Sequence, residues 1–169
     1  MKKTFFALVF LAVLGSAMTG YLSYSWLVND SIVCPIGNPA GCAIATQSSY
    51  SKLGPVPFAV LGFIVWIALL LLAQRVYNAH KLNLNPAPYL TAAFILTSIG
   101  VAAAGYFNSI MLFKLNAICF WCEASHTLML SKYFLTSYLA FGNEKKWLIK
   151  TFAIALIAFF VPFFFAKGF

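Results

Sequence analysis

Acidic side chains are almost missing from this chain. Asp30, Glu123 and Glu144 are the only three in 169 residues, set against eleven Lys and Arg, and charged residues of both signs make up 8% of the whole. An ordinary soluble domain carries about 25% charged residues, so water is not the main solvent here. A basic excess in so apolar a chain reports membrane orientation, and no nucleic-acid partner is expected. Also absent are internal repeats, low-complexity tails and any linker long enough to divide the chain, so residues 1–169 read as a single membrane domain. There is no second Cys-x-x-Cys and no histidine cluster, which disfavours a zinc site and leaves no metal expected.

What the chain does have is apolar length: 63% of its residues are hydrophobic and 18% aromatic. Crossing the hydrocarbon takes about 20 apolar residues as helix, because every backbone polar group must be paired internally. Five stretches qualify, at residues 4–25, 56–76, 89–112, 119–141 and 147–166, with an outer loop at 26–55. The fold class expected is therefore an all-α integral membrane protein with five transmembrane helices. Lys2, Lys3 and the apolar run from Phe5 have the look of a leader peptide. Apolar residues continue to Leu22 without a small-x-small site before a polar start, so the run is expected to stay as the first helix.

Lys and Arg are retained on the cytoplasmic side. With the N-terminus inside, Lys2, Lys3, Arg75, Lys81, Lys145, Lys146 and Lys150 are cytoplasmic, and only Lys52, Lys114 and Lys167 fall outside. Lys132 sits within the fourth stretch, where it either snorkels or faces the bundle interior. This topology puts all four cysteines on the outer face, in an oxidising compartment where disulfides persist.

Cys34 and Cys42 bracket Cys-Pro-Ile-Gly-Asn-Pro-Ala-Gly-Cys, whose prolines and glycines disfavour helix and let a short loop turn back on itself. A disulfide across it is geometrically easy, either as a staple or as a redox group. Cys119 and Cys122 form Cys-Phe-Trp-Cys at a helix start, which brings both sulfurs to one face and sets the first near the positive end of the helix dipole. That placement favours the thiolate that attacks disulfides. On the residues alone, half a zinc site or an inert bridge stays open.

Around these pairs, the stretch Gln47-Ser48-Ser49-Tyr50 and the run from Gly54-Pro55-Val56-Pro57-Phe58 through Ala59 to Gly62 complete a pattern over about the first 140 residues. It resembles the vitamin K epoxide reductase family, in the form of a bacterial-type member without a fused thioredoxin-like domain. The resemblance implies a four-helix bundle around a quinone site, capped by the extracytoplasmic loop, in a bacterial inner membrane with the cysteines on the periplasmic side. It makes Cys119 and Cys122 the active-site pair beside a quinone, either ubiquinone or menaquinone, and Cys34 and Cys42 the shuttle pair. It also implies a serine near the quinone, matching Ser48 or Ser49. The chain ends at Phe169 with no thioredoxin-like segment, so the partner expected is a separate DsbA-like thioredoxin-fold protein.

The function this implies is a thiol:quinone oxidoreductase that reoxidises the partner and so supports disulfide-bond formation. A reduced partner attacks Cys34, Cys42 leaves and attacks Cys119, and Cys122 is freed as a thiolate toward the quinone. DsbA-type disulfides sit near roughly −120 mV, so a more oxidising acceptor is required, and a lipid-soluble quinone meets that need. The quinone wall is expected to include Phe58, with Leu61, Trp66 and Phe120 as further candidates. Cys119, Cys122, His126, Met129 and Tyr133 recur at three- and four-residue steps and share a helix face. His126 is thus a candidate to bond a quinone oxygen or relay a proton, or else a structural histidine. Glu123 points away from Cys122 and reads as solvated or paired with Lys114. Gly15, Gly20, Gly62 and the stretch Gly100 to Gly105 read as structural helix-packing positions.

Two other readings compete. A DsbB-type disulfide oxidase performs the same task, but its Cys-x-x-Cys precedes the wide pair, the reverse of the order here. A non-enzymatic membrane protein with structural disulfides predicts thiols indifferent to quinone.

Overall fold

The computed structural model describes residues 2–28, 32, 34–36, 40–142 and 146–168, with backbone alone at residues 2, 3 and 166–168. Asp30, Gly37, Asn38, Pro39, Glu144 and Lys145 lie outside the described residues, as do the side chains of Lys2, Lys3 and Lys167. Five long helices carry the fold: α1 (Lys2–Leu27), α3 (Phe58–Lys81), α4 (Ala87–Ile110), α5 (Phe120–Phe141) and α6 (Trp147–Gly168), with a short α2 (Gly41–Gln47) in the outer loop. Four of them contain stretches long and apolar enough to cross a membrane, Thr4–Leu27, Phe58–Lys81, Ala87–Leu115 and Trp147–Phe165. The molecule is thus an all-helical integral membrane protein. α5 is equally long but more polar, since it carries Glu123, Lys132 and several hydroxyl residues.

The helix ends have local causes. Residues 56 and 57, expected to begin the second apolar helix, instead pair as a strand with Lys52–Leu53, in the register Leu53↔Val56. Gly54 turns this hairpin with φ at +61°, a conformation an L side chain resists. α3 therefore starts two residues late, and it runs on to Lys81. α4 begins at Ala87 with Pro88 in its first turn, where the missing N–H breaks no intrahelical bond, and the Asn85 side chain accepts from the Ala87 N–H at 3.0 Å. It ends in a π turn, Met111–Leu115, closed by Asn116 in the left-handed region at φ +48°.

Neighbouring helices pack through small residues and a few polar pairs. α1 and α3 run antiparallel: Phe5 stacks on Tyr77 at 4.4 Å at one end, and a Cβ on Gly15 would enter the Trp66 ring near the middle. On α4, a Cβ at Gly105 would strike the backbone carbonyl of Phe159 on α6, so glycine sets that close approach. Three α5 hydroxyls return to their own helix: Thr127, Ser131 and Thr136 each donate to the carbonyl four residues back, which pairs them without a partner from outside. Tyr133 donates to the Thr151 carbonyl of α6 at 2.9 Å, and Ser137 bonds the Thr151 hydroxyl. Lys132 takes the inward of its two expected positions. It is 1% exposed and donates its Nζ to the Leu8 carbonyl of α1 at 2.6 Å.

Candidate functional site

Both cysteine pairs are disulfides, and both sit at the same end of the bundle. Cys34 and Cys42 are bridged with Cα atoms 5.5 Å apart, Cys42 lying in the first turn of α2. α2 lies hard against the segment before the second pair: a Cβ on Gly41 would stand 2.6 Å from the Ile118 carbonyl oxygen. The Cys34 sulfur is 4.0 Å from that same oxygen. Past α2, Ser48 donates to the Ala45 carbonyl at 3.1 Å and Ser51 to the Thr46 carbonyl at 2.6 Å, which ties the turn Ser49–Ser51 beneath the cap.

The second pair is set by the end of α4. After the π turn, Asn116 reverses the chain and the Ala117 N–H bonds the Met111 carbonyl at 3.1 Å. This delivers Cys119 in an extended conformation as the N-cap of α5, one residue later than the expected helix start. Its sulfur accepts the Cys122 N–H at 3.2 Å, so it stands at the positive end of the helix as the spacing required. The Cys119–Cys122 bridge spans 5.2 Å between Cα atoms. Cys34, Cys42 and Cys119 share one buried cluster with Leu22, Ile32 and Met111, and Cys122 packs on its edge.

Beneath this cluster lies a partly open cavity of about 310 Å³ bounded by α1, α3, α4, α5 and the cap. Its wall is mostly apolar, and Cys122 is the cysteine that faces it. Phe58 lines it and meets Phe107 edge to face at 4.7 Å, and Leu61 and Trp66 line it too. Phe120 does not; it packs against the cysteine cluster, because as the first residue of α5 it turns toward the cap. Of the two candidate serines, half-buried Ser48 lines the cavity, whereas Ser49 is exposed and outside the lining. Along α5, Cys122, His126 and Met129 line it, but Tyr133 is too deep and is engaged by α6.

His126 carries its Nδ1 buried and without a hydrogen-bond partner among the described residues, 3.6 Å from Glu123 Oε1. Of its two expected positions Glu123 takes the solvated one, partly exposed, and it neighbours His126, since residues three apart on a helix share a face. Two contributions went unread in the sequence. Gly100, Ala103 and Ala104, whose small side chains point in the sequence to packing, line the cavity and give it room, with Phe107 one turn on; their three- and four-residue spacing is the available signal. Tyr50, next to the serines, also lines it.

Among curated proteins, none matches the chain. The model of the vitamin K epoxide reductase family matches residues 6–137, a span that holds all four cysteines and the whole cavity lining and stops short of α6. With two disulfides stacked at one end of an apolar helical bundle, and that match over most of its length, the chain belongs to the vitamin K epoxide reductase family and is a membrane thiol oxidoreductase.

Proposed function

We propose that this protein is a thiol:quinone oxidoreductase of a bacterial inner membrane, which reoxidises a periplasmic DsbA-like thioredoxin-fold protein and so supports disulfide-bond formation. The observation that carries this reading is the position of the second disulfide. Cys119 is buried in the cluster with Cys34 and Cys42, while its mate Cys122 faces the cavity, so one bridge touches both the shuttle pair and the acceptor chamber.

The chamber suits a quinone. An edge-to-face aromatic pair, Phe58 and Phe107, offers an apolar wall for a flat ring; His126 is a polar group available for its oxygens, and Ser48 becomes one when its hydroxyl turns from the Ala45 carbonyl. The Nδ1 of His126 is a buried polar atom with no hydrogen-bond partner among the described residues. A bound quinone supplies a two-electron, two-proton acceptor. The chain's own part is sulfur exchange: a partner thiolate attacks Cys34, the more exposed of its pair at 5% against 0% for Cys42, and Cys42 leaves as thiolate. A second partner thiolate then releases Cys34. Cys42 attacks Cys119, freeing Cys122 on the cavity wall, and Cys34 re-forms its bridge with Cys42 to leave Cys119 and Cys122 both reduced.

In this reading α5 is the fifth spanning helix. Its polar groups are bonded to its own backbone and to α1 and α6, so that few face lipid unpaired. Orientation follows from charge: Arg75, Lys81, Lys146 and Lys150 fall toward the end of the bundle away from the cysteines, which makes that end and the N-terminus cytoplasmic. In stopped-flow, the dithiol form of the protein should reduce a quinone analogue in single turnover, and Cys122→Ser should abolish it. Quinone reduction at the wild-type rate by Cys122→Ser, or none by the wild type, rejects the reading.

A further inference from the structure

Thiol–disulfide exchange passes from sulfur to sulfur as thiolate, so the two protons lost by a partner dithiol stay in the water outside. The acceptor inside the bundle needs two protons back for each pair of electrons, and the cavity wall is nearly all apolar. A side chain that bridges water and that wall can carry them across.

α5 holds the parts of such a carrier. His126 is on the cavity wall, one turn below Cys122, and its Nδ1, without a hydrogen-bond partner among the described residues, stands 3.6 Å from Glu123 Oε1. Glu123 is not on that wall. It lines a second, smaller cavity of about 270 Å³ at the junction of α4, α5 and α6, together with Asn108, Leu112, Ile118 and Phe159. There it keeps 40% of its side-chain surface exposed, and Asn108 Oδ1 on the same cavity is buried with no donor among the described residues, an acceptor left for water. The carboxylate, the more exposed of the two, thus stands on the second cavity and the imidazole on the wall of the first, with a single short gap between them. Glu123 is the only carboxylate side chain among the described residues. The other ionisable groups nearby are the Tyr50 phenol on the cavity wall and Lys114, which is exposed in the π turn.

We infer that Glu123 and His126 form the proton route from the outer water to the quinone, a step that rests on the acceptor reading above. Glu123 takes a proton in the second cavity and passes it to His126 Nδ1; the imidazole releases its Nε2 proton to an acceptor oxygen and then resets. The 3.6 Å gap is of the kind that tightens when substrate binds. The balance closes. Cys119 and Cys122 thiolates lose two electrons as their S–S bond forms, the quinone gains those electrons and two protons to become quinol, and the protons replace the two that the partner's thiols released outside.

Glu123→Gln keeps the side-chain shape and removes the carrier. In single turnover it should slow quinol formation about 100-fold, with recovery on adding formate as a small diffusible acid and in Glu123→Asp. A readout free of quinone is deuterium exchange at the imidazole C2 carbon, followed by mass spectrometry, with His80 as internal reference. His126 should exchange in the wild type and more slowly in Glu123→Gln, while His80 is unchanged. Quinol formation at the wild-type rate in Glu123→Gln, or equal His126 exchange in both proteins, overturns the route and leaves the acceptor reading standing. Failure of the wild-type dithiol to reduce any quinone removes both.

Discussion

Lys132 shows what one residue contributes and what its letter conceals. Its ammonium end is bonded to the Leu8 carbonyl, an oxygen already serving the α1 helix, so the bond joins α1 to α5 without satisfying an otherwise bare group. Interhelical hydrogen bonds in membranes average about 0.6 kcal/mol, so Lys132→Met should cost the detergent-solubilised protein only about 1 kcal/mol in a reversible unfolding measurement. Lys132→Glu sets acceptor against acceptor in a buried position and should abolish folded protein in size-exclusion profiles. The sequence leaves both inward and snorkelling positions open because a backbone carbonyl on another helix has no sequence signature. The cysteines are the opposite case: helix-start chemistry and loop composition make their pairing readable, and both disulfides form within the expected pairs. Ser48 and Ser49 sit side by side, and only the turn that follows α2 decides which one faces inward.

Among the elements, α2 is the one the sequence hides. Its seven residues follow a Pro- and Gly-rich run that reads as loop, and so short a helix forms because the Cys34–Cys42 bridge and the surface under it hold it. Gly41 is the point of closest approach to the second pair's segment. Gly41→Ala should therefore lift α2 from Ile118 and slow electron transfer between the two bridges by about tenfold or more. Partner-driven turnover would fall, whereas quinone reduction after direct chemical reduction of Cys119–Cys122 would stay at the wild-type rate. Equal loss of both activities would show that Gly41 does not set the distance between the bridges. The long helices were legible because apolar runs near 20 residues have few other uses; their ends moved by two residues where the Lys52–Pro57 hairpin and the π turn intervene, and α3 runs five residues further, to Lys81.

For the whole molecule, the order of helices and of cysteine pairs is written in the chain, but the chamber is not. It exists because small residues on α4 face aromatic ones on α3 across a gap that no single segment encodes. The topology makes its own test: Leu53→Cys, on the hairpin beside the cap, should react with a membrane-impermeant maleimide in intact cells, and Leu82→Cys, between α3 and α4, only after the membrane is opened. Reversed labelling would invert the orientation. The cap's burial reaches further than its packing. Cys42 and Cys119 have no exposed surface at all, so the junction between the two bridges works as an insulated contact. In the proposed relay, a small thiol or peroxide dissolved outside meets neither of these two sulfurs, so current between the aqueous and lipid redox pools would run through a docked protein.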